Sequence, residues 1–450
     1  MPIEQAAHNA AEEYASDLYD PDQHAPDPQD PDPSRPDHRE LGRSLDLFAS
    51  HPDVGAGLPL WLPNGAVVRA ELEKFAAEEA RRAGCQRIYT PVLAKRSLFE
   101  RSGHWGKFAE DMFPPMRVGN EEFVLRPANC PHHALVYGSR QRSYRDLPVR
   151  LSELAPMFRS ELSGVLGGLS RVRQINLDDA HVFCAPDQIA GEVEAALRQI
   201  QYACQVLGIE VDHLRLSRRD DSGKYLGDAA LWERSEDMLR DALAAAGAEY
   251  VEAPGEAAFY GPKVDVQVVD PAGREQTLST VQLDFNQPAR FDLRYVGADG
   301  ENHQPVMIHR GIMSAMERLV AHLVELYGGV FPVWLAPVQL AVVPVGESHE
   351  AAAAEIRDDA SDAGLRAEVH GAEATVAQRI RRLRERHVPY VAVLGDREVD
   401  AGQVALRLRD GRQLRSVGVE SALREIRRVY GERALDLGFD TGDYQPGQFG

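Results

Sequence analysis

Val264-Asp265-Val266-Gln267-Val268 alternates apolar and polar residues, turns at Asp270-Pro271-Ala272-Gly273, and returns through 280–285. A period of two on both arms, with Pro and Gly in the connection, predicts an antiparallel hairpin with side chains available on both faces. Outward from the hairpin, segments 121–126 and 148–184 have the same strand-like character, with polar loops between them. A further strand at 305–309 feeds a helix from about 311 to 327, on which Ile312, Met316, Leu319, Leu323 and Leu326 share a face. Upstream, Pro63-Asn64 opens a helix over 64–83 with Val67, Val68, Leu72 and Phe75 on one side. A strand with Ile88, Tyr89 and Thr90 follows and meets Pro91. Helices are expected at 186–207 and about 231–247.

At Phe331-Pro332-Val333-Trp334-Leu335-Ala336-Pro337 the pattern changes. Val/Leu-rich runs at 338–344, 389–394 and 403–407 now alternate with helical stretches at 348–364, 375–386 and 419–430. That alternation is the βαβ pattern of a separate α/β domain. The expected division is a tail over 1–40, a first domain over 41–335, a second over 336–435, and a C-terminal tail over 436–450.

The 450 residues suffice for two or three cores, and 44% hydrophobic with 27% charged residues is an ordinary globular composition. No run of about 18 apolar residues is present, so no membrane span is expected. No basic segment followed by an apolar one marks a secretory signal. Cys85, Cys130, Cys184 and Cys204 form no C-x-x-C pair and no disulfide framework, which suits a cytoplasmic protein. A net charge of −20 argues against nucleic-acid binding by bulk charge, though not against a local basic surface. Residues 1–40 hold eleven acidic side chains and two basic ones, with repeated Asp-Pro pairs, and are expected to be disordered.

Three segments carry residues suited to chemistry: Asn129-Cys130-Pro131-His132-His133; Phe158-Arg159-Ser160-Glu161 with Arg171-Val172-Arg173 and Asp178-Asp179-Ala180-His181; and His309-Arg310 with Met316-Glu317-Arg318. Singly, each has an ordinary reading. A buried Cys is a small apolar packing group, a lone His is a hydrogen-bonded core residue, and an Arg on a strand lies on a solvated face.

Their combination and order decide the matter. Together with Phe259-Tyr260-Gly261-Pro262-Lys263, Val281-Gln282-Leu283-Asp284-Phe285 and Pro305-Val306-Met307-Ile308-His309-Arg310, they resemble the threonyl-tRNA synthetase family from about Asp37 to about Tyr430. The resemblance implies an α+β fold: a class II antiparallel-sheet catalytic domain flanked by helices, then a C-terminal α/β anticodon-binding domain. It implies a homodimer, with Pro91 in the interface motif. It implies one Zn²⁺ held by Cys130, His181 and His309. A thiolate and two imidazoles are proper zinc ligands, and three of them leave positions open for the amino group and hydroxyl of threonine.

By the same resemblance Asp179, Tyr260 and Gln282 line the threonine pocket. Asp179 accepts a hydrogen bond from the substrate hydroxyl, or else serves as a hydrogen-bonded structural acid. Lys263 is a further pocket cation or a solvated lysine. Arg159 reaches the α-phosphate of ATP, Glu161 the adenine amino group and Arg171 the triphosphate. Arg318 stacks on the purine, and Mg²⁺ accompanies the phosphates. Guanidinium suits both stacking and oxygen pairing.

The chain also departs from the family pattern. Ala128 stands for Met and His132 for Gly. Ile175 replaces a Phe over the adenine and Leu177 a Gln near the amino acid. Ser314-Ala315 replaces Gly-Ser, and Glu373-Ala374-Thr375-Val376-Ala377 replaces Asn-Glu-Lys-Ile-Gly, so that Ala374 stands where a Glu reads the anticodon. Forty residues ahead of the first domain cannot hold the family's small N-terminal and editing domains, so a form without editing is expected. The expected activity is threonine–tRNA ligation on tRNA(Thr). The competing expectations are a paralogue with a remodelled pocket, serving inhibitor resistance, a threonine analogue or another acceptor, and a non-catalytic tRNA-binding or regulatory module.

Overall fold

The structure, a computed structural model, describes residues 36–439. Its centre is an eight-stranded sheet built from β1 (Gln86–Arg87), β2 (Val149–Phe158), β3 (Gln174–Cys184), β4 (His213–Arg218), β5 (Tyr250–Pro254), β6 (Lys263–Val269), β7 (Glu275–Asp284) and β8 (Val306–Gly311). The order across the sheet is β5-β4-β6-β7-β8-β3-β2-β1. From β4 to β2 every pairing is antiparallel, and the hairpin read from sequence is β6–β7, with a register shift at Val266/Gln267. Only the outer pairs β5–β4 and β1–β2 are parallel.

Because strand side chains alternate, each face takes a different role. One face carries Val182, Val264, Val266, Val281, Leu283 and Ile308 into the main core. There they meet α1 (His38–Ser44), α2 (Pro63–Arg82), α4 (Ile189–Leu207), α5 (Ala229–Ala245) and α6 (Met316–Tyr327), while α3 (Cys130–Tyr137) packs on the opposite side. That opposite face carries His181, Gln282 and His309. Cross-strand register sets His309 opposite both His181 and Gln282, which puts all three in one row. A second, smaller core of Cys130, Ala134, Tyr137, Leu151, Phe183 and Met307 closes one end of this row.

Several boundaries differ from those expected. The strand at 88–90 lies earlier, at Gln86–Arg87. Thr90 gives its backbone N–H and its hydroxyl to the Glu153 carboxylate, which ends the ladder. The helix expected from 311 starts at Met316. Ser314, at φ 60°, and extended Ala315 intervene, and Asp178 donates its backbone N–H to the Ser314 carbonyl. The tail expected over 1–40 ends sooner. Asp37 caps α1, and buried His38 accepts from the Leu169 N–H through Nε2 and faces Glu325 at 2.7 Å through Nδ1. Residues 1–35 and 440–450 lie outside the described residues.

The C-terminal sheet contains β9 (Leu340–Pro344), β10 (Ala367–Val369), β11 (Tyr390–Leu394), β12 (Gln403–Leu408) and β13 (Gln413–Gly418) in the order β10-β9-β11-β12-β13. The first three strands are parallel, as the βαβ pattern predicts, whereas β12 and β13 pair antiparallel. Residues 436–439, expected as tail, belong to this fold: Leu437 is buried and accepts from the Tyr390 hydroxyl at 2.7 Å. The two domains meet through Arg366–Glu71 at 2.5 Å and Arg433–Glu78 at 2.6 Å.

Gly261 shows how tightly one loop is laid on the sheet. A Cβ there would lie 1.8 Å from the Leu283 carbonyl oxygen, a backbone atom that cannot turn away. Gly261→Ala is therefore expected to destabilise the chain by about 3 kcal/mol, as overpacking against fixed backbone does. Urea denaturation measures this, and a change within about 0.5 kcal/mol of the parent would show that the loop relaxes freely.

Candidate active site

Cys130 stands at the first turn of α3, after Asn129, with Pro131 pre-set for the helix start. Its thiol, an imidazole nitrogen of His181 and one of His309 all lie within 4.8 Å of one another, and the three residues are buried. His181 Nε2 and His309 Nδ1 are 2.9 Å apart. Burial, then the Asp179 and Asp284 carboxylates, push the Cys130 thiol well above its ordinary range. Burial, then neighbouring His309 and His133, push His181 well below its own. A buried thiol and two imidazoles converging on one point form a donor set that fits a tetrahedral zinc ion with a position left open.

The cluster forms one wall of a cavity of about 230 Å³, whose other lining residues include Asp179, Tyr260, Gln282, Arg159 and Arg318. Tyr260 lies flat on the His309 ring, at 4.7 Å and 19°, and its hydroxyl donates to Gln282 Oε1 at 2.6 Å. Asp179 Oδ1 is 3.9 Å from His181 Nε2, and burial raises its carboxyl above the usual range. A second cavity of about 180 Å³ is lined by Glu161, Arg171 and Ile175, and again by Arg159 and Arg318. These two arginines therefore border both spaces. Arg171 pairs with Glu161 at 2.8 Å, whereas Arg159 and Arg318 form no ion pair among the described residues. Desolvation by the surrounding cavity walls, then Arg159 and Arg171, lower the Arg318 guanidinium below its usual range, although the residue is open to solvent on one side. Cations left without a carboxylate at the junction of two cavities form a place for an anion bridging both.

The structure thus brings together the expected residues except Lys263. That side chain turns to Asp265 on its own strand at 2.8 Å and is not among the lining residues of either cavity. Of the departures from the family pattern, Ala128, Leu177 and Ser314 line the first cavity and Ile175 the second. His132 lines neither. It is buried near Phe99, with no hydrogen-bond partner for either ring nitrogen among the described residues.

Sequence reasoning missed His104, which lines the first cavity with Nε2 3.5 Å from the Cys130 sulfur and Nδ1 2.8 Å from Ser102 Oγ. The only local signal is Gly103, whose φ of 88° marks a fixed turn before it. Also unforeseen was Asp284, which is fully buried with Oδ2 2.9 Å from His309 Nε2.

A largely antiparallel sheet carries a Cys/His cluster beside two arginines that form no ion pair among the described residues, and an α/β domain follows, the architecture of a class II synthetase core with an anticodon-binding domain. Residues 115–327 match the tRNA synthetase class II core domain (G, H, P, S and T), and residues 339–429 match the anticodon binding domain. The chain is 48% identical over 394 residues to a threonine--tRNA ligase of Halalkalibacterium halodurans and 46% identical over 404 residues to that of Geobacillus kaustophilus. It covers 61% and 62% of those relatives, and they cover 87% and 89% of it. Among solved structures, the RNA binding domain of threonyl-tRNA synthetase from Cryptosporidium parvum superposes with a TM-score of 0.84 at 34% identity, over 89% of this chain and 99% of that one. A Giardia lamblia prolyl-tRNA synthetase shares the fold at 18% identity, with a TM-score of 0.67 over 87% of this chain and 78% of that one. The chain belongs to the threonyl-tRNA synthetase family.

Proposed function

We propose that this chain is a threonine–tRNA ligase, which activates threonine with ATP and transfers it to tRNA(Thr). The observation that supports this most is the placement of Arg159 and Arg318 between the Cys/His cavity and its neighbour. On this reading threonine occupies the first cavity and the nucleotide the second, with the reacting α-phosphate at the junction. A threonine carboxylate oxygen attacks the α-phosphorus, the bond to the bridging oxygen breaks, and pyrophosphate leaves. Arg159 and Arg318 stabilise the charge that develops, and Mg²⁺ accompanies the phosphates. Such preorganised cations suffice without a protein nucleophile.

Cys130, His181 and His309 would hold zinc, which would supply a Lewis-acid site for the substrate amino group and hydroxyl. Asp179 accepts from that hydroxyl, and Tyr260 with Gln282 closes the wall. Lys263, paired to Asp265, has a structural role in this reading. The exposed segment around Tyr89 and Leu93, 78% and 43% accessible, supplies the homodimer contact. No helix among the described residues is long and apolar enough to cross a membrane. The compartment proposed for this ligase is the cytoplasm.

The test is threonine-dependent exchange of pyrophosphate into ATP, followed by charging of total tRNA and identification of the charged species. Exchange without charging of tRNA(Thr) would favour a second reading, a paralogue that uses another acceptor or an analogue. The positions of Ala128, Leu177, Ser314 and Ile175 on the cavity walls support keeping that reading. Absence of exchange would refute both.

Serine keeps the amino group and hydroxyl and lacks only a methyl, so an apolar wall distinguishes it from threonine by about 10–200-fold. Serine-dependent pyrophosphate exchange is expected within that range of the threonine value. A preference above about 10⁴ would mean that the pocket measures the methyl by some means beyond packing.

A further inference from the structure

We infer that His133 and Glu153, neither of them a metal ligand, position the zinc site by fixing which nitrogen of His181 carries its proton. The inference rests on the zinc reading of Cys130, His181 and His309. It starts from a geometric requirement. His181 faces His309 through Nε2, at 2.9 Å from His309 Nδ1. To bind a cation there, His181 must present a lone pair on Nε2 and hold its proton on Nδ1. That nitrogen lies 2.8 Å from His133 Nδ1. Of two ring nitrogens so close, one donates and the other accepts. The donor is His181, so His133 presents its lone pair on Nδ1 and carries its own proton on Nε2.

His133 Nε2 in turn points at Glu153 Oε2, 3.4 Å away. The whole sequence from Nε2 of His181 to the carboxylate is thereby determined. Reversing His133 alone would set two N–H donors against each other at 2.8 Å, and reversing His181 alone would set two lone pairs against each other there.

Glu153 is held where this requires. Its Oε2 accepts from the Thr90 hydroxyl at 2.7 Å, and its Oε1 accepts from the Thr90 N–H at 3.1 Å and from Arg126 Nη2 at 3.3 Å. Arg126 is itself fully buried and donates to the Pro156 carbonyl at 2.8 Å, so neither partner can swing away. The second imidazole ligand obeys the same logic by a shorter route. His309 turns Nδ1 to the cluster and donates from Nε2 to Asp284 Oδ2 at 2.9 Å, while Asp284 Oδ1 accepts the Asn286 and Gln287 N–H groups. A carboxylate behind each ligating His is how metal sites fix ring orientation, and losing such a partner typically weakens metal binding about 10–100-fold. Here one of the two carboxylates acts through an intervening imidazole.

The experiment uses the full chain and zinc alone, measured by competition against a chromophoric chelator, with cobalt-substituted protein read by absorption. His133→Phe and Glu153→Gln are each expected to weaken zinc binding about 10–100-fold and to shift the cobalt ligand-field bands. The double variant is expected to be no weaker than His133→Phe, because both changes break one path. His133→Asn, which keeps an acceptor near the Nδ1 position, should recover part of the loss. Should His133→Phe fail to fold by circular dichroism, His133→Asn and Glu153→Gln read the same path, each with weaker binding and a shifted spectrum. Parent-like zinc affinity and spectra in the folded variants, or single losses that multiply in the double, would overturn the inference and leave the zinc site standing. A parent that binds no zinc, or binds it equally well as Cys130→Ser, would remove the zinc reading and this inference together.

Discussion

Cys130→Ser is expected to purify without stoichiometric zinc and to lose most of its preference for threonine over valine. Valine is nearly isosteric with threonine but has a methyl in place of the hydroxyl. A site obliged to bond a hydroxyl rejects an analogue lacking it by about 10⁴–10⁵, whereas an apolar pocket separates near-isosteres by only about 10–200-fold. The thiol, Asp179, His181 and His309 all line the cavity assigned to the amino acid, so the group that demands a hydroxyl belongs to this wall. Removing the sulfur leaves two imidazoles, too few to hold the ion at the wall. The ratio of kcat/KM values for the two amino acids, from pyrophosphate exchange, should fall toward the apolar range, and metal analysis should fall with it. Full zinc occupancy in Cys130→Ser would sink the ligand assignment. His132→Ala supplies the contrast, since His132 lies outside both cavities and zinc content should be unchanged.

How far that site could be read in advance depends on what each residue owes to its neighbours in sequence. Cys130, His181 and His309 were recognisable because each sits in a distinctive local string. Their convergence, across 128 residues between the two histidines, comes from strand register, which alternation alone does not specify. Lys263 illustrates the opposite failure. It lies opposite Gln282 in the ladder, yet its own strand supplies a carboxylate two positions on, and same-face spacing makes Asp265 its nearer partner. The apolar residue Ile312 suggested an early helix start. It is buried in the main core, but as part of the turn before α6, so the pattern reported burial rather than helix. His104 had only Gly103 before it as a signal, and Asp284 sat in a recognisable string that gave no sign of its role, because both roles arise only when a loop and a strand end close on the cluster.

The departures from the family pattern take on meaning only through this geometry. Ala128, Leu177 and Ser314 are far apart in sequence but share the wall of the first cavity, and Ile175 lines the second. On the proposed reading, loss of an aromatic face at Ile175 is expected to weaken adenine stacking by a fraction of the ~1–3 kcal/mol that a base–aromatic contact supplies, since isoleucine keeps part of the contact. Changes of that size would alter affinity and selectivity while the charges proposed to carry activation remain in place. Those charges are the subject of the second large effect.

Arg159→Gln is expected to lower the rate of threonyl-adenylate formation by about 10²–10³-fold, the usual consequence of removing one preorganised group from a developing charge. Arg159 sits just past the end of β2, where its backbone N–H donates to the Arg173 carbonyl at 2.9 Å, so its Cα cannot shift to let a shorter side chain reach. Its Nε is buried without a hydrogen-bond partner among the described residues, and it forms no ion pair among them. A guanidinium whose buried Nε has no partner is better satisfied when an anion meets it, so the site is built for a ligand rather than for the fold. Two consequences separate this role from a structural one. The substitution should leave the urea midpoint unchanged or slightly raised, because it removes a half-buried like charge next to Arg318 that forms no ion pair among the described residues. It should also lower kcat more than it raises the KM for threonine, because the charge at the α-phosphate grows only as the reaction proceeds. A destabilised protein with parent-like kcat would show that Arg159 supports the loop instead, and the phosphate would then have to be met by Arg318 or Arg171 alone.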